Sequence, residues 1–342
     1  MPHRCLKTVL AAALSAAACS QPSLAQSPAS TILLIDLENS VQYNEDISDP
    51  SRFATDPNVT TVAATRNFTN RTTMGDIVVV NGRAAKGTQL SERRIVSLST
   101  STAPGQAIAD TIRNSIAIQS FEILQGDGTP IGSIFLSGLA DSGAQPNKPP
   151  GAPSDQIMSN WAIVGGTGAF LGARGQAGEG TSPQPNGPPR QASYSEDPAN
   201  RRRNGGSRTR WVLHVIPMLR PEIAATATGP AIFHDDFSPV TAAKPAKAGE
   251  VLIIKATGLG PTRPGVDPGH SFPMDTFQEV NSPVDVMVNG QSAEVINKIG
   301  WPGLIDTYRV DFRVPDGATG GTAGVQLTAA WIASTSVNIS IQ

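Results

Sequence analysis

A glycine-crowded stretch at residues 160–178, NWAIVGGTGAFLGARGQAG, constrains the fold of this chain more than any other feature. It begins with an apolar run at 160–164, which is long enough for a buried strand and too short for a helix. Gly165, Gly166 and Gly168 follow within four positions, and glycine reaches positive φ values without steric cost. The pattern predicts a tight structural turn between two short strands.

The same glycines superficially resemble the phosphate-binding turn of a nicotinamide-cofactor domain. That turn needs a helix directly after the glycines, so that the helix N-terminus faces the pyrophosphate, and an acidic residue roughly 20 positions later. Here Arg174, Gly175, Gly178 and a proline-rich tract follow, and proline cannot propagate a helix. We therefore expect no nucleotide cofactor, and the rest of the sequence indicates no other cofactor.

Short apolar runs recur on both sides of this stretch. The 342 residues include 33 glycines and 28 prolines but only 5% aromatic residues, a composition typical of many short strands joined by turns. No helical pattern separates the runs, so they predict an antiparallel meander that closes into a barrel or a sandwich. The strands predicted in this part are 31–37, 77–80, 95–98, 116–124 and 131–139.

A second pattern begins at residue 230. Strict alternation of apolar and polar residues at 308–315 predicts a strand with one buried and one wet face, as in a β-sandwich. Residues 222–229 are predicted to be a linker, because 224–229 is a stretch of small residues. We therefore predict an all-β chain with an antiparallel β-barrel at 31–221 and a β-sandwich at 230–342, which limited proteolysis should separate at the linker.

Residues 1–25 have the pattern of an export signal. A positive start is followed by an apolar run at 8–18 and by a small-residue cleavage site, SLA, at 23–25. Cleavage there predicts a secreted chain, periplasmic or extracellular, that begins at Gln26 and has lost both cysteines. A lipoprotein anchored at Cys19 is the alternative. No later run approaches the roughly 20 apolar residues of a membrane-spanning helix.

Several motifs of the first part resemble the barrel family of allene oxide cyclases and dirigent proteins. WAIVGGTGAFLGARG at 161–175 is similar to a strand-turn-strand signature of that family. GDIVVV at 75–80, the hairpin at 121–139 and RWVLHVI at 210–216 match further strands in the right order. The resemblance covers residues 31–221 and implies an antiparallel barrel around a small apolar or aromatic ligand.

In that family an acidic residue of the first strand acts on a bound epoxide or quinone methide. Asp36 and Glu38 occupy this region here and share one face of the predicted strand. If that face looks into the barrel, desolvation would suit both carboxyls to proton transfer. The predicted mature chain lacks the thiol that lies near the substrate in the plant cyclase. The resemblance therefore makes Asp36 and Glu38 candidate ligand-binding residues and leaves the catalytic residues unknown.

Residues 230–342 resemble an immunoglobulin-like module that recurs at the C-terminus of bacterial secreted proteins. The matching pieces are PAIF at 230–233, GEVLIIKATGLGP at 249–261, VNGQSAEV at 288–295 and YRVDFRVPDG at 308–317. The module has no assigned chemistry. The resemblance therefore implies an immunoglobulin-like β-sandwich that acts as a scaffold in an exported protein.

Charge excludes some partners. The formal charge is −2, which gives no reason to expect nucleic acid or an anionic membrane as a partner. Five arginines at 201–210 could hold an anionic ligand or a polysaccharide carboxylate, but a solvated loop balanced by Glu196 and Asp197 is the preferred interpretation. HDD at 234–236 has the residue types of a metal site, yet such runs are usually turns, so we predict no metal site.

The usual catalytic motifs, namely GxSxG, HExxH and the P-loop, do not occur in the sequence. The leading hypothesis is an exported binding protein that is non-enzymatic or weakly catalytic. Its barrel would hold a small apolar or aromatic ligand, and its immunoglobulin-like module would serve as a spacer or attachment. One alternative is a dirigent- or cyclase-like enzyme that acts on an oxidised lipid or phenol. The other is a surface adhesion protein that binds a cell-surface glycan.

Overall fold

The structure is a computed structural model that describes residues 30–44, 67–97, 113–140, 160–180 and 189–342. The predicted signal at 1–25 lies outside these residues. The first part of the chain contains nine strands: β1 (Thr31–Asn44), β2 (Asn67–Val80), β3 (Arg83–Ser97), β4 (Arg113–Gln125), β5 (Pro130–Ala140), β6 (Asn160–Gly166), β7 (Arg174–Gly180), β8 (Arg190–Ser193) and β9 (Ser207–Ile216). Its helical elements are α1 (Arg201–Asn204) and the 3-10 helices Gly168–Phe170 and Pro198–Asn200.

Eight of the nine strands form a closed antiparallel barrel. Strands β1 to β7 pair in chain order, β7 pairs with β9, and β9 returns to β1. The short strand β8 lies outside this ring and runs parallel to the end of β1. The antiparallel meander predicted from the sequence is thereby confirmed, and it closes into a barrel.

The two rims of the barrel differ. At one rim, here called the lower rim, tight turns at 81–82, 126–129 and 167–173 connect the strands. At the other, the upper rim, strands β1, β3, β5 and β7 end. Tight turns are available at the lower rim because the turn sequences carry glycine or asparagine where the chain takes positive φ, as at Asn81 and Gly128.

Side chains alternate between the interior and the outer wall. In β1, Leu33, Ile35 and Leu37 are buried in the interior, whereas Ile32 is half exposed on the outer wall. The apolar part of the interior contains Ile77, Phe121, Ile123, Ile134, Leu136, Trp161, Ile163, Trp211, Leu213 and Val215. This apolar core holds the strands in one register, because a slip by one residue would turn these side chains outward.

The three glycines of the predicted turn have different structural roles. Gly165 and Gly166 end β6, and Gly168 begins a 3-10 helix of three residues. Among the three, only Gly168 has positive φ, at 59°. A Cβ atom at Gly166 would lie 2.2 Å from the backbone oxygen of Phe170. The turn therefore requires glycine at position 168 for its dihedral angles and at position 166 for a close backbone approach.

The second part contains thirteen short strands. They are β10 (Glu222–Ile223), β11 (Ala225–Thr226), β12 (Gly229–Pro230), β13 (Ile232–Phe233), β14 (Val251–Thr257), β15 (Thr262–Arg263), β16 (Glu279–Val280), β17 (Val284–Val288), β18 (Gln291–Gly300), β19 (Tyr308–Arg313), β20 (Gly321–Ala329), β21 (Ile332–Ala333) and β22 (Val337–Ile341). Strand β18 pairs with β19 on one side and with β17 on the other, so one curled sheet forms two layers.

These layers enclose a second apolar core that includes Leu252, Val310 and Leu327. The all-β prediction of a barrel followed by a sandwich-like part is confirmed, and the immunoglobulin-like character of that part stays a prediction. Residues 222–229, predicted as a linker, contain β10, β11 and the start of β12, and β10 pairs with β14. No helix among the described ranges is long and apolar enough to cross a membrane.

The second part packs against the lower rim of the barrel. Ala330 and Ile332 are buried in the same hydrophobic cluster as the barrel core, and Trp331 packs against that cluster. An ion pair of 2.8 Å joins Arg83, the first residue of β3, to Asp285 of β17. The hairpin β20–β21 therefore closes the lower end of the barrel.

Candidate functional site

A row of polar side chains lines the barrel interior on β1 to β4. Gln42, Thr73, Ser91 and Gln119 lie side by side, because each is paired in register with the next across neighbouring strands. All four are more than nine-tenths buried. Burial of polar groups is unfavourable unless they are hydrogen-bonded, so this polar wall needs partners.

Several buried polar atoms of the interior lack such a partner. Neither side-chain atom of Gln119, which is 3% exposed, is hydrogen-bonded to any described residue. The same holds for Thr73 Oγ1 and Trp161 Nε1, whose residues are 4% and 0% exposed. Each unsatisfied buried group costs about 1–3 kcal/mol. A bound ligand or ordered water in the interior would recover this free energy.

Two arginines extend the polar wall toward the upper rim. Arg71 and Arg93 are paired in register on β2 and β3, so they share a face with Thr73 and Ser91. The Arg93 guanidinium lies 5.4 Å from the ring centre of Trp161 on β6, a cation–π contact. Both arginines are half-buried, and burial lowers the pKa of each.

One carboxyl group of β7 faces the same space. Glu179 is paired in register with Trp211, an inward-facing residue of β9. Burial raises the pKa of Glu179, and the charge of Arg93 opposes this rise. Burial outweighs the arginine, so the geometry favours a carboxyl group that can hold a proton at a higher pH than an exposed glutamate.

The opposite wall of the interior, on β4 to β9, is apolar and aromatic. Trp211 contacts Trp161 and Phe121 edge to face, with ring centres 5.9 and 5.5 Å apart. Ile163 and Leu213 complete this aromatic wall. The interior therefore has two faces: hydrogen-bonding groups on one side and aromatic rings on the other. Such a lumen suits a small molecule with an apolar body and a polar edge.

The two acidic residues predicted from the sequence lie elsewhere. Asp36 and Glu38 alternate with the buried residues Ile35 and Leu37, so their side chains point to the outer wall. Arg210 binds Asp36 through two hydrogen bonds of 2.5 and 2.7 Å, and Arg208 Nη2 lies 2.8 Å from Glu38 Oε1. The condition for proton transfer, a lumen-facing position, is not met, and their ligand-binding role stays a prediction.

The other end of the arginine run is fixed to the outer wall of β2. Arg201 and Arg202 both donate to the carboxylate of Asp76, at 2.6 and 2.8 Å, and Asn39 donates to it at 3.0 Å. Asp76 and Arg201 are both more than nine-tenths buried. The arginines of the run at 201–210, here called the clasp, thus mainly bind carboxylates on the outer wall of β1 and β2.

This clasp makes stability depend on pH in the acid range. Burial raises the pKa of Asp76, but hydrogen bonds from Arg202, Arg201 and Asn39 outweigh it and lower the pKa from 3.8 to about 2. A depressed folded-state pKa stabilises the fold above the unfolded-state value, and this contribution is lost as pH falls through the folded-state value.

We therefore expect the parent to lose about 2 kcal/mol more stability than Asp76→Asn between about pH 4 and pH 2. Urea unfolding at several pH values measures this difference. The control is Glu38→Gln, which breaks an exposed ion pair and should change stability by less than about 1 kcal/mol. Equal losses of stability for the parent and Asp76→Asn over this pH range would contradict the prediction.

The histidine-containing turn at 234–236 is held by protein groups. His234 Nδ1 lies 2.5 Å from Glu250 Oε1, and its Nε2 lies 3.2 Å from the backbone oxygen of Lys244. Asp236 accepts from Lys244 Nζ at 2.7 Å. Within the described residues no group of three or more His, Cys, Asp or Glu side chains is arranged to hold a metal ion.

The residues of the lumen were missed by sequence reasoning. In β3 the inward positions are Gln89, Ser91 and Arg93, at every second residue. A search for apolar residues at every second position does not detect such a strand, because its inward residues are polar. A polar residue at every second position, beside a predicted barrel strand, is the signal that would have indicated a polar wall.

No protein-family model matches the chain, and no curated protein matches it. Among solved structures the chain is similar to the pterocarpan synthase dirigent protein GePTS1, with 14% sequence identity, over 59% of this chain and 99% of that chain, at a TM-score of 0.30. So low a TM-score does not establish a shared fold. The barrel is established by the strand pairings of this chain itself.

Proposed function

We propose that this chain is an exported binding protein whose barrel holds one small molecule. The ligand has an apolar or aromatic body that packs on the aromatic wall, and polar atoms that bond to the polar wall. The second part closes the lower end of the barrel and serves as a spacer or attachment. Export is supported by the signal pattern at 1–25.

One observation carries this proposal: the unpartnered polar atoms of Thr73, Gln119 and Trp161 in the barrel interior. A protein interior without a ligand normally satisfies its buried polar groups, and unsatisfied ones are rare. Here the three residues lie on three strands and face the barrel interior, where Trp161 also contacts Trp211. That arrangement is typical of a binding site, with few polar groups set in an apolar surround.

The neutral aromatic dye N-phenyl-1-naphthylamine tests the proposal. We expect saturable one-site binding, seen as dye fluorescence excited by energy transfer from tryptophan, because Trp161 and Trp211 line the site. Ala117→Leu should weaken binding, since Ala117 faces the interior beside Arg93.

The control is Ile118→Ser, at the next residue, which is 60% exposed on the outer wall. It should leave dye binding unchanged. Circular dichroism identifies a variant that fails to fold, and in that case Thr73→Val replaces Ala117→Leu. Absence of dye binding to the parent, or weakening by Ile118→Ser instead of the interior variant, would reject the barrel as the site.

A second candidate function, stereochemical steering or cyclisation of an oxidised phenol or lipid, is favoured by Glu179. Its raised pKa and its position in the lumen suit it to proton transfer. The test is oxidative coupling of a propenylphenol by a one-electron oxidant in the presence of the protein. An excess of one enantiomer that disappears in Glu179→Gln supports this candidate, and a racemic product rejects it without affecting the binding proposal.

A further inference from the structure

We propose that the barrel selects an anionic ligand, a carboxylate or sulfonate on an aromatic or alicyclic body, and that Arg71 and Arg93 bind the negative group. The inference rests on the proposed binding function and deepens it by specifying charge. Its basis is an excess of positive charge inside the barrel, where two arginines face one carboxyl group, that of Glu179.

The excess is visible from the placement of the charged side chains. Arg71 and Arg93 face the interior next to each other. Two like charges in directly paired strand positions destabilise a sheet unless something between them carries the opposite charge. Glu179 is the one carboxylate among the described residues that acts on Arg93 from within, and it does not form an ion pair with either arginine.

The neighbouring carboxylates are engaged on the outer wall. Asp36 and Asp76 are bound by arginines of the clasp, and Glu92 lies at an exposed position of β3. None of these described carboxylates forms an ion pair with Arg71 or Arg93. A half-buried guanidinium without a counter-ion is costly, and an anion that enters this space removes that cost.

The remaining groups fit a carboxylate or sulfonate. Arginine offers donors in a planar fork that matches such oxygens, and Trp161 Nε1 is an unpartnered donor on the same row of paired residues. Between Arg93 and Trp161 that row contains only the small residues Ala117 and Gly138. These small residues allow the Arg93 side chain to reach across β4 and β5 to the Trp161 ring, where the guanidinium and the ring can contact one ligand together.

A pair of dyes with the same aromatic skeleton isolates the contribution of charge. The anionic probe is 1-anilinonaphthalene-8-sulfonate, and the neutral probe is N-phenyl-1-naphthylamine. We expect the parent to bind the anionic dye about tenfold or more tightly than the neutral dye, and we expect added salt to narrow that difference. Fluorescence titration of the full chain measures both affinities.

Variants then locate the charge. Arg93→Gln and Arg71→Gln should each weaken the anionic dye by about tenfold and leave the neutral dye nearly unchanged, since a charge-assisted hydrogen bond is lost. Arg93→Lys should retain part of the preference because it retains the charge. The matched control is Arg94→Gln, which removes an exposed arginine at the next position of β3 and should change neither affinity.

The outcomes separate this inference from the function on which it rests. Binding of the neutral dye with no preference for the anionic dye overturns the inference and leaves the binding function standing. Equal weakening by Arg94→Gln and Arg93→Gln places the anion on the outer wall and also overturns it. Failure of both dyes to bind rejects the proposed function itself. If Arg93→Gln still binds the neutral dye, its barrel is folded and its interior can still hold a ligand.

Discussion

Replacing Ile332 with alanine is expected to destabilise the barrel by about 3 kcal/mol, although Ile332 belongs to the second part of the chain. Its side chain is 2% exposed and lies in the cluster that forms the barrel core. Removal of buried methyl groups costs transfer free energy and leaves a cavity, with typical values of about 2–5 kcal/mol for Ile→Ala. Denaturant unfolding, followed by tryptophan fluorescence and by hydrogen exchange in β1 to β4, measures this loss.

The control is Ile296→Ala, which truncates a half-exposed isoleucine of β18 and should cost less than about 1 kcal/mol. The hairpin geometry supports the expected difference. Ala330 and Trp331 have φ values of 47° and 64°, in a region that costs non-glycine residues about 1–2 kcal/mol each. Such strain persists where packing overrides it. Unchanged barrel exchange in Ile332→Ala would show that the two parts are uncoupled.

Replacing Gly166 with alanine is expected to destabilise the protein by about 3 kcal/mol or more. The new Cβ would lie 2.2 Å from Phe170 O and 2.9 Å from Ser133 O, both backbone atoms. Neither can retreat freely, because Ser133 O accepts from Thr167 N and Phe170 O accepts from Ala173 N. Relief of the clash must therefore break part of the β6–β7 turn.

Gly165 provides a matched control at the preceding position. A Cβ there would have no neighbour closer than 3.9 Å, so Gly165→Ala should cost less than about 1 kcal/mol. Thermal and denaturant unfolding of the two variants give the comparison. Equal stabilities would contradict the close approach at Gly166. We also expect no binding of nicotinamide or flavin nucleotides in calorimetric titration, since only a three-residue 3-10 helix follows the glycines.

The strands that were predicted from the sequence are those with apolar residues at every second position. The start of β1, the hairpin β4–β5 and strand β19 all carry this pattern, and the structure contains each of them. The hairpin at 121–139 that the sequence predicts is present, and its turn has a hydrogen bond from Gly128 N to Gln125 O. Alternation is informative here because one face of each strand is buried in an apolar core.

The lumen could not be predicted in the same way, because its polar wall breaks that pattern. Only residues 95–98 of β3 were predicted as a strand, whereas the strand covers Arg83–Ser97. Its inward residues Gln89, Ser91 and Arg93 are polar, so the hydrophobic signal disappears where the candidate site lies. Local rules of patterning are expected to fail at functional positions.

The direction of a side chain also depends on closure of the barrel. Asp36 and Glu38 were correctly placed on one face of β1, but the sequence does not specify which face the other strands enclose. The structure shows that the arginine run reaches them from outside. The same run could have bound a ligand, and only the register between β1 and β9 pairs Asp36 with Arg210. Contacts between residues so distant in sequence are not encoded in a local pattern.

Closure of the lower rim by the β20–β21 hairpin means that a guest of the barrel interior would have to enter and leave through the upper rim. An eight-stranded barrel holds at most one small ligand in its interior, so the guest would keep the orientation in which it entered. Its apolar end would go in first and come to rest against Trp211, and its charged end would arrive last, beside Arg71 and Arg93 toward the upper rim. Orientation would then be fixed by the direction of entry.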